Sequence, residues 1–332
     1  MNRSISLQIC STGAFVPPTT IPSTVFDQRF GKPTGWSEQR FKIKNRPMAT
    51  MEKSSEMAAR AARDALEKAG KSALELDLVV SASSIMEQPI PTMGVLIQRQ
   101  LGLGKHATPV LDVNATCLGF LTALDTVSYA IDAGRYRNVL IVCSEMPSRG
   151  LNWRDPEASV IFGDGAAAAI VSRSNGSGSK VLAAHFETHS DAVESCKMRS
   201  GGTGIDPREN TEAFLDGAVF EMDGLAAYRA TANAIGPFLD KLMQKAGLTI
   251  SDIDLVVPHQ ASALALHHLR RRLGIGEEQI VDIFVDHGNQ VSCSIPMALH
   301  HGIECDRLER GDRVLLIGTS AGISIGGVIL EY

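Results

Sequence analysis

The sequence predicts an α/β protein built from two copies of one strand–helix pattern, and two observations carry that expectation. The first is a duplication. Residues 68–80, Lys-Ala-Gly-Lys-Ser-Ala-Leu-Glu-Leu-Asp-Leu-Val-Val, recur 177 positions later at 245–257 as Lys-Ala-Gly-Leu-Thr-Ile-Ser-Asp-Ile-Asp-Leu-Val-Val. Lys68, Ala69, Gly70, Asp77, Leu78, Val79 and Val80 are matched identically, and Leu76 faces Ile253. Further on, Leu101-Gly102-Leu103-Gly104 is echoed by Leu273-Gly274-Ile275-Gly276, and Val139-Leu140-Ile141-Val142 by Val314-Leu315-Leu316-Ile317. Order and spacing are kept, so a whole half is repeated. Two copies at so long a period do not suit a stacked solenoid and imply one compact molecule with internal pseudo-symmetry.

The second observation is the alternation of helical and strand-length apolar runs. Alanines with Met57 and Leu66 recur at three- and four-residue spacing from Ser54 to Ala69, and Gly70 ends that helix. A strand follows at Asp77–Ala82, then a helix near Thr92–Leu101, a strand at Pro109–Val113, an apolar helix after Cys117 through Ala130, and a strand at Asn138–Cys143. The second half repeats the order: helix Ala226–Ala246, strand Leu255–Pro258, helix Ala263–Leu273, strand Ile280–Phe284, helix Ile295–His301 and strand Arg313–Ile317. Such alternation predicts parallel sheets covered on both faces. The polar run from Ser172 to Lys180 joins the halves and sets a boundary between 1–174 and 175–332. The irregular stretch Glu187–Gly217, with Gly201-Gly202-Thr203-Gly204, reads either as the border of a substrate entrance or as an exposed loop.

Composition narrows the function classes. A chain of 332 residues with 44% hydrophobic content can bury a large core, and a net charge of -5 without a charge run argues against nucleic acid or a membrane surface as partner. No stretch approaches the ~20 apolar residues of a spanning helix, and the start lacks the apolar run of a signal peptide, so a cytoplasmic protein is expected. Six scattered cysteines without a C-x-x-C pair fit reduced thiols, with neither a disulfide frame nor a metal site.

Three residues sit in strand-to-helix or glycine turns. Cys117 lies in Asp112-Val-Asn-Ala-Thr-Cys-Leu-Gly-Phe120, where a helix N-terminus is expected to lower the thiol pKa; read alone, it is equally a buried structural cysteine. His259, in Val256-Val-Pro-His-Gln-Ala-Ser262, leaves a strand end where ligands collect in α/β sheets. Asn289, in Asp286-His-Gly-Asn-Gln290, by itself marks only a turn. Together they place a thiol beside two hydrogen-bond donors, which points to acyl transfer.

With Asn-Ala-Thr-Cys-Leu-Gly-Phe, Pro-His-Gln-Ala, His-Gly-Asn, Ile161-Phe-Gly-Asp-Gly-Ala166 and Gly322-Ile-Ser-Ile-Gly326 in this order, the chain resembles the thiolase superfamily, and within it the β-ketoacyl-acyl-carrier-protein synthase III type, along essentially its whole length. The resemblance implies a duplicated five-layered α-β-α-β-α fold and a decarboxylative Claisen condensation of an acyl thioester with a malonyl or β-ketoacyl thioester. Cys117 carries the acyl group, and His259, as a neutral donor, acts with Asn289 on the enolate. The backbone of Cys117 with that of Ser320, Ala321 and Gly322 forms the other oxyanion hole. The substrates implied are acyl-CoA and malonyl- or acyl-carrier-protein thioesters, with no metal or other cofactor, handled by a homodimer.

The same resemblance assigns Trp36 and Arg40, in Trp-x-x-x-Arg, to coenzyme A, with Arg154 shifted from the expected place, and gives Arg271 and Arg272, with Arg270, as a basic carrier patch or a solvated helix face. Ile90, Leu118 and Leu225 fall at acyl-pocket positions, Ile90 reaching into the partner's site. Leu264 stands where a carrier-docking arginine is expected, and Leu225 where an asparagine is. Asn289 matches the initiating type, whereas elongating relatives use two histidines. The second cysteine of degradative thiolases, in a C-x-G motif, is missing around Ser320–Gly326. These departures keep a specialised quinolone- or resorcinol-type condensing enzyme open as an alternative, and a non-catalytic partner subunit behind it. A papain-like protease also orders Cys, His and Asn this way, but the internal repeat opposes it.

Overall fold

The computed structural model describes residues 4–332. Ten strands make its two large sheets: β1 Ile5–Ser6, β2 Gln8–Phe15, β3 Leu78–Ser81, β4 Val110–Asp112, β5 Asn138–Glu145, β6 Gly165–Ser172, β7 Lys180–Thr188, β8 Leu255–Pro258, β9 Arg313–Ser320 and β10 Ser324–Glu331. The first sheet runs β2-β6-β5-β3-β4 and the second β1-β7-β10-β9-β8. Four strands of one map onto four of the other, β2-β6-β5-β3 onto β7-β10-β9-β8, which is the sequence repeat in three dimensions. The chain's first strand, β1, pairs with β7 and so completes the second sheet.

The helices that position the site are α1 Trp36–Phe41, α2 Ser54–Lys68, α3 Met93–Gln100, α4 Gly119–Asp132, α5 Gly224–Ala246, α6 Ala263–Leu273 and α7 Ser294–Glu304. Local chemistry sets their ends. Asp223 caps α5 by accepting from Ala226 N at 2.9 Å, Ser262 caps α6 through Ala265 N at 3.2 Å, and Gly247 and Gly274 close them in the left-handed region.

Burial then stacks five layers. The apolar stripe of α2, with Met57, Ala61 and Ala65, covers Val79, Leu140 and Ala168 on the outer face of the first sheet. Phe120 and Leu124 of α4 and Ile295 and Leu299 of α7 lie between the sheets, against Val80 and Ile141 on one side and Val257, Leu316 and Val328 on the other. Phe238 and Leu242 of α5 and Leu273 of α6 cover Ile317, Ile325 and Ile329 from outside. Each fully buried side chain of this size stabilises the fold by about 1.5–3 kcal/mol.

Three expectations are corrected. The sheets are mixed rather than parallel: β3 is parallel to β4 and β5, and β8 to β9, but β5–β6, β6–β2, β9–β10 and β10–β7 are antiparallel. A parallel pair needs a crossover, and only a short helical turn at Pro147–Gly150 lies between β5 and β6, while β9 and β10 form a tight hairpin. The strand expected at Ile280–Phe284 is reduced to a single parallel bridge between Val256 and Ile280, followed by a helical turn at Phe284–His287. Gln260 holds this irregular edge instead, donating to Pro258 O and Val281 O and accepting from Ile283 N. The stretch at 187–217 is also more ordered than a loop, with a strand at Cys196–Lys197 paired to Glu221–Met222 and a helix at Thr211–Gly217.

Candidate active site

Cys117 sits in the turn between β4 and α4. Thr116, just before it, adopts a positive φ of 48°, a conformation that a β-branched residue rarely takes and that clusters at functional sites. Asn114 Oδ1 supports the turn by accepting from Thr116 N at 3.1 Å. Gly119 is required where α4 begins, because a Cβ there would stand 2.2 Å from Ala82 O.

The expected lowering of the thiol pKa is not found: burial pushes Cys117 up to about 12, and nearby Glu145 and Cys196 push the same way. Cys117 keeps partial exposure, which tempers burial without reversing it. The helix-terminus argument fails for a local reason, since the amides of Leu118 and Gly119 already donate to the carbonyls of Ala115 and Thr116 at 3.1 and 2.9 Å. The resting thiol is therefore protonated.

His259 leaves the end of β8 with its amide bound to Ile317 O at 2.8 Å and only 6% of its surface exposed. Burial drives its pKa down to about 4, so the ring is neutral near pH 7. Its Nδ1 is buried without a partner. A small cavity of about 60 Å3 opens beside the ring, lined by Tyr228, Ala261, Leu269 and Gly318.

Asn289 is also almost fully buried, and its side chain is oriented by hydrogen bonds: Oδ1 accepts from Val291 N at 2.8 Å, which turns Nδ2 away, toward Ala261 O at a loose 3.4 Å. Nδ2 thus keeps a second N–H to offer. Val291, like Thr116, is a β-branched residue at positive φ, 52°.

The structure gathers these segments where the two halves meet. The position of a Cβ on Gly318 of β9 lies 3.0 Å from His259 Cβ and 3.2 Å from Leu118 Cδ2, so the residue after Cys117 and the base of the His259 side chain meet at one glycine. Asn289 Nδ2 reaches the carbonyl two residues past His259. What the arrangement offers is a thiol, a neutral imidazole and an amide donor carried by segments that meet at one junction.

The other sequence-selected residues are distributed as follows. Ser320 ends β9 and pairs with Ser324 across the hairpin through Ala321 and Gly322, whose tip is fastened by two backbone bonds between Ile323 and His189. Trp36 opens α1 half-buried, its ring edge-on to Phe41 at 5.5 Å. Arg40 pairs with Glu157, and Arg154 with Asp216 at 2.8 Å. On α6, Arg270 pairs with Glu277, Arg271 is exposed, and the Arg272 guanidinium lies against Gly236 of α5. Leu118 is buried in the core against Gly318 and Gly326. Ile90, Leu225 and Leu264 are 87%, 58% and 60% exposed.

Sequence reasoning missed Glu145, the fully buried last residue of β5, and Ser292, which donates a hydrogen bond to it. The available signal was a carboxylate closing the apolar run Asn138-Val-Leu-Ile-Val-Cys-Ser144. Among the described residues no group of three or more His, Cys, Asp or Glu side chains could hold a metal ion, and no helix is long and apolar enough to cross a membrane.

Comparison with known proteins agrees with this architecture. Residues 111–190 match the family model of 3-oxoacyl-[acyl-carrier-protein] synthase III, and residues 243–332 that of its C-terminal part. The chain is similar to the β-ketoacyl-[acyl-carrier-protein] synthase III of Neisseria meningitidis, 31% identical over 98% of this chain and 99% of the relative. Its fold superimposes on the 3-oxoacyl-[acyl-carrier-protein] synthase III of Aquifex aeolicus with a TM-score of 0.88, 28% identity and coverage of 98% and 100% of the two chains. It superimposes equally on the priming β-ketosynthase of a polyketide biosynthetic pathway, with a TM-score of 0.87, 28% identity and coverage of 99% and 97%. Sequence likeness along the whole chain, the doubled fold and the cysteine-centred junction lead to one conclusion: this chain belongs to the 3-oxoacyl-[acyl-carrier-protein] synthase III family of thiolase-fold condensing enzymes.

Proposed function

We propose that this chain condenses an acyl thioester with a malonyl thioester through an acyl group carried on Cys117. The observation that carries the reading is the meeting of the Cys117 and His259 segments at Gly318, with Asn289 Nδ2 bonded to the carbonyl two residues past His259. In the first half-reaction, Cys117 Sγ attacks the thioester carbonyl. A sulfur–carbon bond forms, the backbone amides of Cys117 and the 320–322 hairpin receive the oxyanion, and the departing thiolate leaves with the proton that Sγ surrenders. In the second, the carbon–carboxylate bond of the malonyl unit breaks and carbon dioxide departs. The electron pair moves into an enolate whose oxygen accepts from His259 and from Asn289 Nδ2. The enolate carbon then attacks the acyl-Cys117 carbonyl, and the returning Cys117 thiolate takes up a proton.

A neutral imidazole suits this role because it donates a hydrogen bond at the pH where the malonyl carboxylate is ionised. The donors are fixed and buried, so little reorganisation accompanies charge development. The substrates of this reading are coenzyme A or carrier-protein thioesters, with no further cofactor. Trp36, Arg40 and Arg154 form the nucleotide-facing mouth, Arg271 and Arg272 the carrier-facing patch, and Ile90, Leu118 and Leu225 the surroundings of the acyl chain. The halves 1–174 and 175–332 act as the two units of the fold, in a cytoplasmic homodimer whose protomers exchange Ile90. The test is steady-state condensation by His259→Ala and Asn289→Ala. Each should fall by ~10²–10³ in kcat while Cys117 still acquires its acyl group; normal condensation in either would remove that residue from the reaction.

A further inference from the structure

Glu145 is a buried carboxylate for which the reaction above has no use. It ends β5 at 0% exposure, and a carboxylate so deep in the interior needs hydrogen-bond donors. Its partners come from two other segments. Ser84 N donates to Oε1 at 2.6 Å and Ile85 N to Oε2 at 2.9 Å, both just beyond β3 on the way to Ile90. Ser292 Oγ donates to Oε1 from the turn that follows Asn289. Ser292 is itself fully buried, and its Cβ stands 3.5 Å from where a Cβ of Gly119 would be, at the start of α4 two residues after Cys117. Carboxylate, hydroxyl and helix start are therefore in continuous contact across the two halves.

We propose that Glu145 is a positioning residue that fastens the Asn289 turn of the second half against the Cys117 helix start of the first, through Ser292. The proposal rests on the condensing reaction described above. A glutamine at 145 keeps the size but sets an NH2 group against one of the incoming donors, and the hydrogen bonds cannot all be kept. It also removes a nearby carboxylate that adds to burial in disfavouring the Cys117 thiolate. Asn289 and Cys117 should consequently respond in opposite directions, which a general loss of structure would not produce.

The test measures two rates in wild type, Glu145→Gln, Ser292→Ala and the double variant: acylation of Cys117, followed by intact-protein mass, and condensation with a malonyl thioester. Expected are a loss of about tenfold or more in condensation kcat in each single variant, with KM for the malonyl thioester changed less than about threefold. Acylation should be as fast as in wild type or faster in Glu145→Gln, and the double variant no slower than the worse single, because the two residues act through one contact. Unchanged condensation, acylation and condensation falling together, or losses that multiply in the double variant would each overturn the proposal. If Glu145→Gln does not fold, Ser292→Ala decides alone, since it removes one hydroxyl: full condensation there would sink the idea. A wild type that never acquires an acyl group on Cys117 would instead overturn the underlying reaction, and this proposal with it.

Discussion

Asn289 is bound by its backbone to Ile161: its amide donates to the Ile161 carbonyl at 2.7 Å, and Gly163 N returns a bond to the Asn289 carbonyl at 3.2 Å. A residue of the second half is thereby held in a two-bond bridge to the first. The bridge leaves little room, since a Cβ on Gly163 would lie 2.1 Å from His287 O. The Ile-Phe-Gly-Asp-Gly run, recognisable in sequence only as a motif, is the seat of the Asn289 turn.

Gly163→Ala should accordingly act on catalysis without touching a side chain of the reaction. The new methyl must push His287, and with it Asn289, by a fraction of an ångström or more; misplacement on the 1 Å scale costs ~10²-fold in rate. Condensation kcat should fall by at least about tenfold while acylation of Cys117 persists. Wild-type kcat in a folded Gly163→Ala would show that the bridge does not set the position of Asn289.

How much of this was legible beforehand differs by residue. The duplicated Lys-Ala-Gly and Asp-Leu-Val-Val segments fold as equivalent elements because helix-ending glycines and buried strands are written in local sequence. Strand direction was not, because it depends on whether a crossover helix intervenes, and the segment between β5 and β6 has none. Ile280–Phe284 reads as a strand by β-branched content, yet the edge is held by the Gln260 side chain, a tertiary choice that propensity does not contain. The candidate residues Cys117, His259 and Asn289 were visible by their turns. The ionisation of Cys117 was not, since it depends first on how deeply the folded chain buries the thiol and then on Glu145, 28 residues away in sequence.

Two buried groups should leave opposing marks on stability. His259 has a folded pKa of about 4 against an ordinary 6.5, so the unfolded chain binds that proton first, and stability present above 6.5 is lost as pH falls toward 4. Glu145 has a folded pKa of about 7 against 4.5, so the stability it contributes is present below 4.5 and lost as pH rises through 7. Each shift corresponds to about 3 kcal/mol, and the two largely cancel between pH 4.5 and 6.5. Thermal midpoints across that window should show it: relative to wild type, Glu145→Gln should lose stability on acidification and His259→Gln on alkalinisation. Parallel curves for all three proteins would contradict both assignments. Condensation itself should persist as pH rises through neutrality, because His259 is already uncharged there.

Ile90 is 87% exposed at a loop tip, and β4 forms the edge of its sheet with Leu111 41% exposed, a pattern that a second copy of the chain would cover. In the proposed homodimer, Ile90→Trp fills part of the partner's acyl pocket and should shift kcat/KM toward shorter acyl donors by about tenfold, some 1.4 kcal/mol. A donor preference identical to wild type would remove Ile90 from the pocket.

The most direct test of the central claim is intact-protein mass spectrometry after incubation with a panel of acyl-coenzyme A and acyl-carrier-protein thioesters, comparing wild type with Cys117→Ala. A single acyl mass is expected on the wild-type chain from the preferred donor and none on the variant. An adduct that survives Cys117→Ala, or no adduct on wild type from any donor of either kind, would contradict it.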